Sequence, residues 1–200
     1  MRARSRGVFI VLEGIDGCGK TFHSRTLTDE LRQRGFDAAY TAEPSNGAVG
    51  KSIRSMLLTE KVPPEVEALL FSADRFEHLM KEILPSLDKG TTVVCDRYLY
   101  SSFAYQGAQG VDVNWIKTIN KFALKPDIVF YLDVPPEVGL NRIKRKRTVL
   151  ERLDLQEKVR ERYLELVKTE GLIPINSNRP VAEVKTELIK LTIQKFEQVS

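Results

Sequence analysis

Cysteine is nearly absent: Cys18 and Cys95 are the two in 200 residues, and their spacing is not C-x-x-C. That argues against a disulfide framework and a clustered zinc site, and it fits a reducing compartment. Long hydrophobic runs are missing too. After the basic start, Met1 to Arg6, the apolar run Val8 to Leu12 stops at Glu13, too short for a signal peptide or a membrane span. No membrane association and a cytoplasmic location are therefore expected. Neither sign of charge dominates: a net charge of +4 is too small to argue for a nucleic-acid partner, so none is expected, although it suits small anionic ligands. With 42% hydrophobic and 29% charged residues the composition is that of a globular protein, and the length makes one domain, 1–200, the expectation. There is no internal repeat, low-complexity tract or linker.

What the chain does have is a loop that organises the rest. Gly14-Ile15-Asp16-Gly17-Cys18-Gly19-Lys20-Thr21 fits G-x-x-x-x-G-K-[ST], follows the apolar run Val8 to Leu12 and precedes a helix-forming segment. This is the context of a phosphate-binding loop: glycines let backbone N–H groups face phosphate oxygens, and the helix directs its positive end at them. All eight residues are candidate ATP ligands, with Lys20 on the terminal phosphates and Thr21 as a Mg²⁺ ligand.

Strands and helices alternate along the chain. Strands are expected at Val8 to Leu12, Asp37 to Ala42, Thr91 to Cys95, Asp127 to Asp133 and Ile173 to Ile175. Helices are expected up to Arg34, stopped by Gly35; over Lys51 to Leu58; from Pro63-Pro64 with Val66, Leu69, Leu70, Phe76 and Leu79 at helical spacing until Pro85 kinks or ends it; from Asp112 to Ala123; after Pro135-Pro136 into the basic run Arg142 to Arg147; over Leu153 to Thr169; and from Val181 onwards. Phe22, Leu27 and Leu31 are expected on the apolar side of the first helix. The pattern predicts an α/β, P-loop NTPase-type three-layer fold, a parallel five-stranded sheet with the first strand central, helices on both faces and a short basic lid, about 142–154.

The loop alone leaves GTPases, ATPases and kinases open. A guanine-binding Asn-Lys-x-Asp is not found, since Asn120-Lys121-Phe122-Ala123 lacks the aspartate. Three further stretches are informative: Asp96-Arg97-Tyr98-Leu99-Tyr100-Ser101-Ser102-Phe103-Ala104-Tyr105-Gln106-Gly107, Phe71-Ser72-Ala73-Asp74-Arg75, and Glu43-Pro44. With the phosphate loop and a basic segment before Glu151-Arg152, they stand in the order, and span nearly the length, of thymidylate kinases, a family this chain strongly resembles. The resemblance implies phosphorylation of dTMP to dTDP by ATP with Mg²⁺, in a homodimer. A deoxynucleoside kinase or a UMP/CMP kinase uses the same parts, and a P-loop ATPase switch would hydrolyse ATP without an acceptor.

The resemblance assigns dTMP contacts to Asp16 (sugar hydroxyl), Phe71 (ring on the base), Arg75 (4-carbonyl), Arg97 (monophosphate), Ser102 (base edge) and Tyr105 (excluding a 2′-hydroxyl). On the residues alone Phe71 reads as core, continuing the Val66 and Leu70 stripe; Tyr105 has core packing, and Arg97 half of an ion pair, as the alternative. Asp96, at a strand's carboxyl end, is a Mg²⁺ ligand or a strand-end cap, and Asp133 is a weaker metal candidate. Glu43 either orients the Mg²⁺ shell beside dTMP or caps its loop, and Arg54 is a second phosphate candidate. The transition-state charge is assigned to Lys20, Arg97 and the lid residues Arg145 and Arg147. The donor base is expected near Asn176-Ser177-Asn178-Arg179. His23 and His78 have no evident partner. Departures from the family pattern are Cys18, Phe22 in place of a small hydroxyl residue, Gly17 where some members carry arginine, and Leu153 where many have an aromatic residue.

Overall fold

The computed structural model describes residues 6–59, 62–145 and 148–199. Five parallel strands, β1 (Phe9–Glu13), β2 (Ala38–Ala42), β3 (Thr92–Asp96), β4 (Ile128–Asp133) and β5 (Ile173–Asn176), stand in the order β2-β3-β1-β4-β5. The central place of β1 agrees with its continuous apolar sequence, because a strand paired on both sides and covered on both faces has no solvent face to make polar. Phe9 to Leu12 are fully buried, and their carboxyl end releases the phosphate loop at the middle of the sheet.

The helices are α1 (Lys20–Gln33), α2 (Ala48–Thr59), α3 (Pro64–His78), α4 (Leu84–Asp88), α5 (Leu99–Ala108), α6 (Val113–Ile119), α7 (Pro136–Arg142), α8 (Leu153–Glu170) and α9 (Val181–Val199). A π-helical turn, Leu79–Ile83, joins α3 to α4. Pro85, expected either to kink or to end the helix, does not end it. It lies one residue into α4, directly after that wider turn, which relieves the crowding a proline ring causes in α-helical register.

Other expectations are corrected. The segment after Asp96, to which the sequence assigned no element, is a ten-residue helix, α5. The helix capped by Asp112 stops at Ile119, four residues early, with Asn120 as its C-cap. Helix α7 ends at Arg142 because Ile143 turns extended (ψ 113°), so Lys144 and Arg145 lie beyond a helix, not around one. The stripe expected to bury α3 is only partly inside: Val66 and Leu69 are exposed, Phe76 packs against the core and Leu79 is buried, whereas Glu67, Ala68, Ser72, Asp74, Arg75 and His78 are buried. A helix that buries its polar side does so because those groups have partners there, and the partners lie under the site. Phe22 is likewise half exposed and not part of the core.

Candidate functional site

The phosphate loop lies between the end of β1 and the start of α1. Gly19, the residue before α1, has φ +98°, and Gly17 has φ +76° with the Gly139 carbonyl 1.9 Å from where a Cβ would sit. Loop and α7 thus touch backbone to backbone, and no side chain fits at position 17 in this conformation. Lys20 is buried over the loop, its ammonium donating to the Gly14 carbonyl at 3.0 Å and the Ile15 carbonyl at 2.7 Å, with the Cys18 sulfur at 3.4 Å. The Cys18 thiol is buried.

Two cavities meet at this loop. The larger, about 610 Å³, is lined by the loop from Asp16 to Thr21, by Phe22 and His23 of α1, and by Arg142, Arg145, Ser177, Arg179 and Val181. The smaller, about 180 Å³, is lined by Pro44, Leu57, Phe71, Ser101, Ser102, Tyr105, Gln106, Thr148, Leu150 and Glu151. Asp16, Arg97 and Arg145 line both.

At that junction the Arg97 guanidinium pairs with Asp16 at 2.5 Å and donates to the Gly14 carbonyl at 3.1 Å, to Ser101 at 3.2 Å and to Tyr105 at 3.2 Å. Tyr105 in turn donates to Asp16 at 2.9 Å. Burial pushes the Asp16 carboxyl up, but the charges of Arg97 and Lys20 and the hydrogen bonds from Tyr105 and Gln156 outweigh it and hold the group below the usual aspartate range. Arg97 itself is raised: burial disfavours its charge, and the surrounding Tyr105, Asp16, Tyr163 and Asp96 more than compensate. Its backbone is left-handed, φ +69°, an uncommon conformation for a long side chain.

Thr21 donates to Asp96 at 2.5 Å, and the second oxygen of Asp96 is buried with no hydrogen-bond partner among the described residues. A hydroxyl and a half-satisfied carboxylate at the phosphate end of the large cavity are hard oxygen donors suited to a divalent cation such as Mg²⁺. Asp133 is taken up by Arg160 at 2.8 and 3.0 Å and by the Tyr131 hydroxyl at 2.8 Å, which removes it as a metal ligand.

Not every expected residue reaches a cavity. Arg75 lies fully buried beneath the small one, donating to Asn120 at 2.6 Å, Glu43 at 2.8 Å and Ser102 at 3.3 Å. Glu43 is correspondingly turned away from the cavities onto Arg75, with His78 at 3.4 Å, so a place in a Mg²⁺ shell does not fit. His78 is not isolated either, since its other ring nitrogen meets Thr41 at 2.6 Å. Arg54 donates to the Pro44 carbonyl at 2.6 Å, supporting the loop beside the cavity. Asp74 grips the same loop through Ser45, with bonds of 2.8 and 2.6 Å. This is why α3 buries its polar side: it holds the loop after β2 and the floor of the small cavity.

In the segment expected to form a lid, Arg145 makes a two-pronged pair with Glu151 at 2.9 and 2.5 Å, and Glu151 also accepts the Thr148 amide at 2.7 Å. Arg147 lies outside the described residues. The sequence expectations missed Gln156, which is fully buried on α8 and binds Asp16 twice, amide to side chain and side chain to carboxylate, at 3.0 Å each, besides the Leu150 carbonyl at 2.9 Å. Its signal was a polar residue in the stripe Val159, Tyr163, Leu166. Arg142 and His23 were also undervalued; both line the large cavity, and burial together with the Arg142 charge lowers the pKa of the buried His23 ring, whose Nδ1 has no hydrogen-bond partner among the described residues.

A phosphate loop in a parallel sheet, opening on one side to a large polar cavity and on the other to a small pocket, with an arginine at the junction, defines a P-loop phosphotransferase acting on nucleotides. The thymidylate kinase family model matches residues 12–188. Curated relatives described as probable thymidylate kinases include one from Methanocaldococcus jannaschii, 50% identical over 186 residues (91% of this chain, 94% of the relative). Others come from Thermococcus kodakarensis, 44% identical over 200 residues (92% and 96%), and Pyrococcus horikoshii, 42% over 199 (93% and 96%). The chain belongs to the thymidylate kinase family and is an ATP-dependent nucleoside monophosphate kinase.

Proposed function

We propose that the protein transfers the γ-phosphoryl group of ATP to dTMP, giving dTDP, with ATP in the large cavity and dTMP in the small one. The observation that carries this is the shared wall: Asp16, Arg97 and Arg145 belong to both cavities, so donor and acceptor phosphates meet beside two guanidinium groups. Phe71 flanks the base and Ser102 meets its edge, while Tyr105 closes the sugar side. Arg75 supports that pocket from below. The donor's base lies by Arg142, Ser177 and Arg179.

No general base is required. A phosphomonoester's second pKa is about 6, so the attacking oxygen is already ionised at neutral pH. Catalysis is alignment and charge neutralisation, carried by Lys20, Arg97 and Arg145. Thr21 and Asp96 would hold Mg²⁺, which neutralises charge on the donor phosphates when bound. Lys20, now folded onto its own loop, turns to the terminal phosphates.

A homodimer is supported by the outward apolar side of α3 and the following turn, where Val66, Leu69 and Met80 are exposed. A cytoplasmic location is supported by two unpaired thiols, and no helix among the described residues is long and apolar enough to cross a membrane. The deciding experiment is coupled nucleotide-kinase kinetics with ATP and a panel of monophosphates. Turnover of UMP or CMP above dTMP would replace the acceptor assignment, and ATP hydrolysis indifferent to any acceptor would replace the kinase reading of the small cavity.

A further inference from the structure

We propose that Glu13, the last residue of β1, is a positioning residue for Arg97: its carboxylate caps α5 from a distant part of the chain and so fixes both the backbone and the fork of the arginine at the cavity junction. The proposal rests on the placement of Arg97 at the transferring phosphates.

Helix α5 begins without a local cap, since Tyr98 stands at the N-cap position and makes no side-chain cap bond. Its first amides are nonetheless satisfied. One oxygen of Glu13 accepts the Tyr98 amide at 2.8 Å and the Ser101 amide at 3.2 Å. These are the N-cap and N3 amides that a capping box satisfies with two nearby side chains, and here one carboxylate from residue 13 serves both. The other oxygen accepts the Ser101 hydroxyl at 2.7 Å and the Tyr163 hydroxyl at 2.8 Å. The two amides can only donate, and with both hydroxyls donating too a carboxylate meets all four bonds; an amide would keep the oxygen that accepts the two amides but set an NH₂ donor against the two hydroxyls.

Two links run from this cap to Arg97. Arg97 immediately precedes Tyr98 and is held left-handed between its amide's bond to the Leu12 carbonyl, 3.0 Å, and the capped turn. Ser101 gives its one hydroxyl proton to Glu13 and thus turns a lone pair toward Arg97, whose guanidinium donates to it at 3.2 Å. Glu13 is fully buried and lines neither cavity, so it touches no substrate. Its effect on turnover has to pass through Arg97.

The test is a double-mutant cycle on kcat with Glu13→Gln, Arg97→Ala and the double variant, each confirmed folded by circular dichroism. Glu13→Gln is expected to lower kcat about tenfold or more, the scale of a lost hydrogen bond to a charged group, while the KM for ATP stays near wild type. In the Arg97→Ala background the same change should cost less than about twofold, because the group it positions is gone. Equal factors in both backgrounds overturn the proposal and leave Glu13 a purely structural cap. Wild-type kcat in Arg97→Ala would instead remove the assignment of Arg97, and the proposal with it. Should Glu13→Gln not fold, Ser101→Ala cuts the hydroxyl link and spares the amide cap; its smaller loss of kcat must likewise vanish without Arg97.

Discussion

The Asp16 carboxylate and the Arg97 guanidinium stand 2.5 Å apart on the wall between the two cavities, joined by Tyr105 and Gln156. Their pairing has a pH signature. The Asp16 carboxyl is held below its ordinary value of 3.8, so folding favours the ionised form. That contribution is fully present above pH 3.8 and fades as pH falls through the lower folded value. Asp16→Asn should therefore lower the thermal midpoint at pH 7 and converge on wild type in strong acid. A gap between the two proteins that does not narrow at all as pH falls below 3.8 would show that the charge of Asp16 contributes nothing.

Tyr105 combines a ring on the small cavity with a hydroxyl on Asp16. The two functions separate by substitution. Tyr105→Ala, which opens the sugar side, should narrow the preference for dTMP over its ribo counterpart, whereas Tyr105→Phe should keep that preference. A ratio unchanged in the alanine variant would make the ring ordinary packing.

For Arg75 the structure changes the expected cost. Because its guanidinium is buried against Glu43 and Asn120, Arg75→Ala leaves a carboxylate without its main partner, and breaking such buried pairs costs about 3 to 5 kcal/mol. Chemical denaturation should show that loss. In the folded fraction, the KM for dTMP should rise with little change for ATP, since the base pocket loses the support under Ser102. Unaltered dTMP kinetics would confine Arg75 to stability.

The parts of the fold carried by one-dimensional patterns were legible in the sequence. The run Phe9 to Leu12 announced a doubly covered central strand, and Gly17 and Gly19 announced a loop whose backbone must come close to its neighbours. Long-range polar pairing was not legible. Glu13 caps a helix that starts 86 residues later, at Leu99 by the numbering, and Gln156 reaches Asp16 across 140 residues. The family resemblance named Arg75 and Glu43 as ligands, yet spacing alone could not tell whether such groups face a cavity or each other. On α3 the apolar stripe misled for a physical reason: the buried side is polar because it braces the loop from Glu43 to Gly47.

The last prediction concerns the charge that must meet the transferring phosphoryl group. The phosphate loop supplies no guanidinium of its own: Gly17 has no room for a side chain against the Gly139 carbonyl, so an arginine there would require the loop and α7 to part. Arg145 is the described lid arginine that lines both cavities, and it is partly exposed, tethered to a fully buried Glu151 side chain. That tether holds the guanidinium at the junction of the two cavities, on the irregular segment that follows α7. Arg145→Ala should lower kcat by roughly 10³ while changing either KM far less, and lysine should rescue poorly because it lacks the planar fork. Replacing Glu151 with Gln, which unties the arginine, should lower kcat in the same direction but by a smaller factor. If Arg145→Ala turns over at the wild-type rate, the charge of Arg145 is a solvated surface, and the search passes to Arg147, the other lid arginine the sequence proposed.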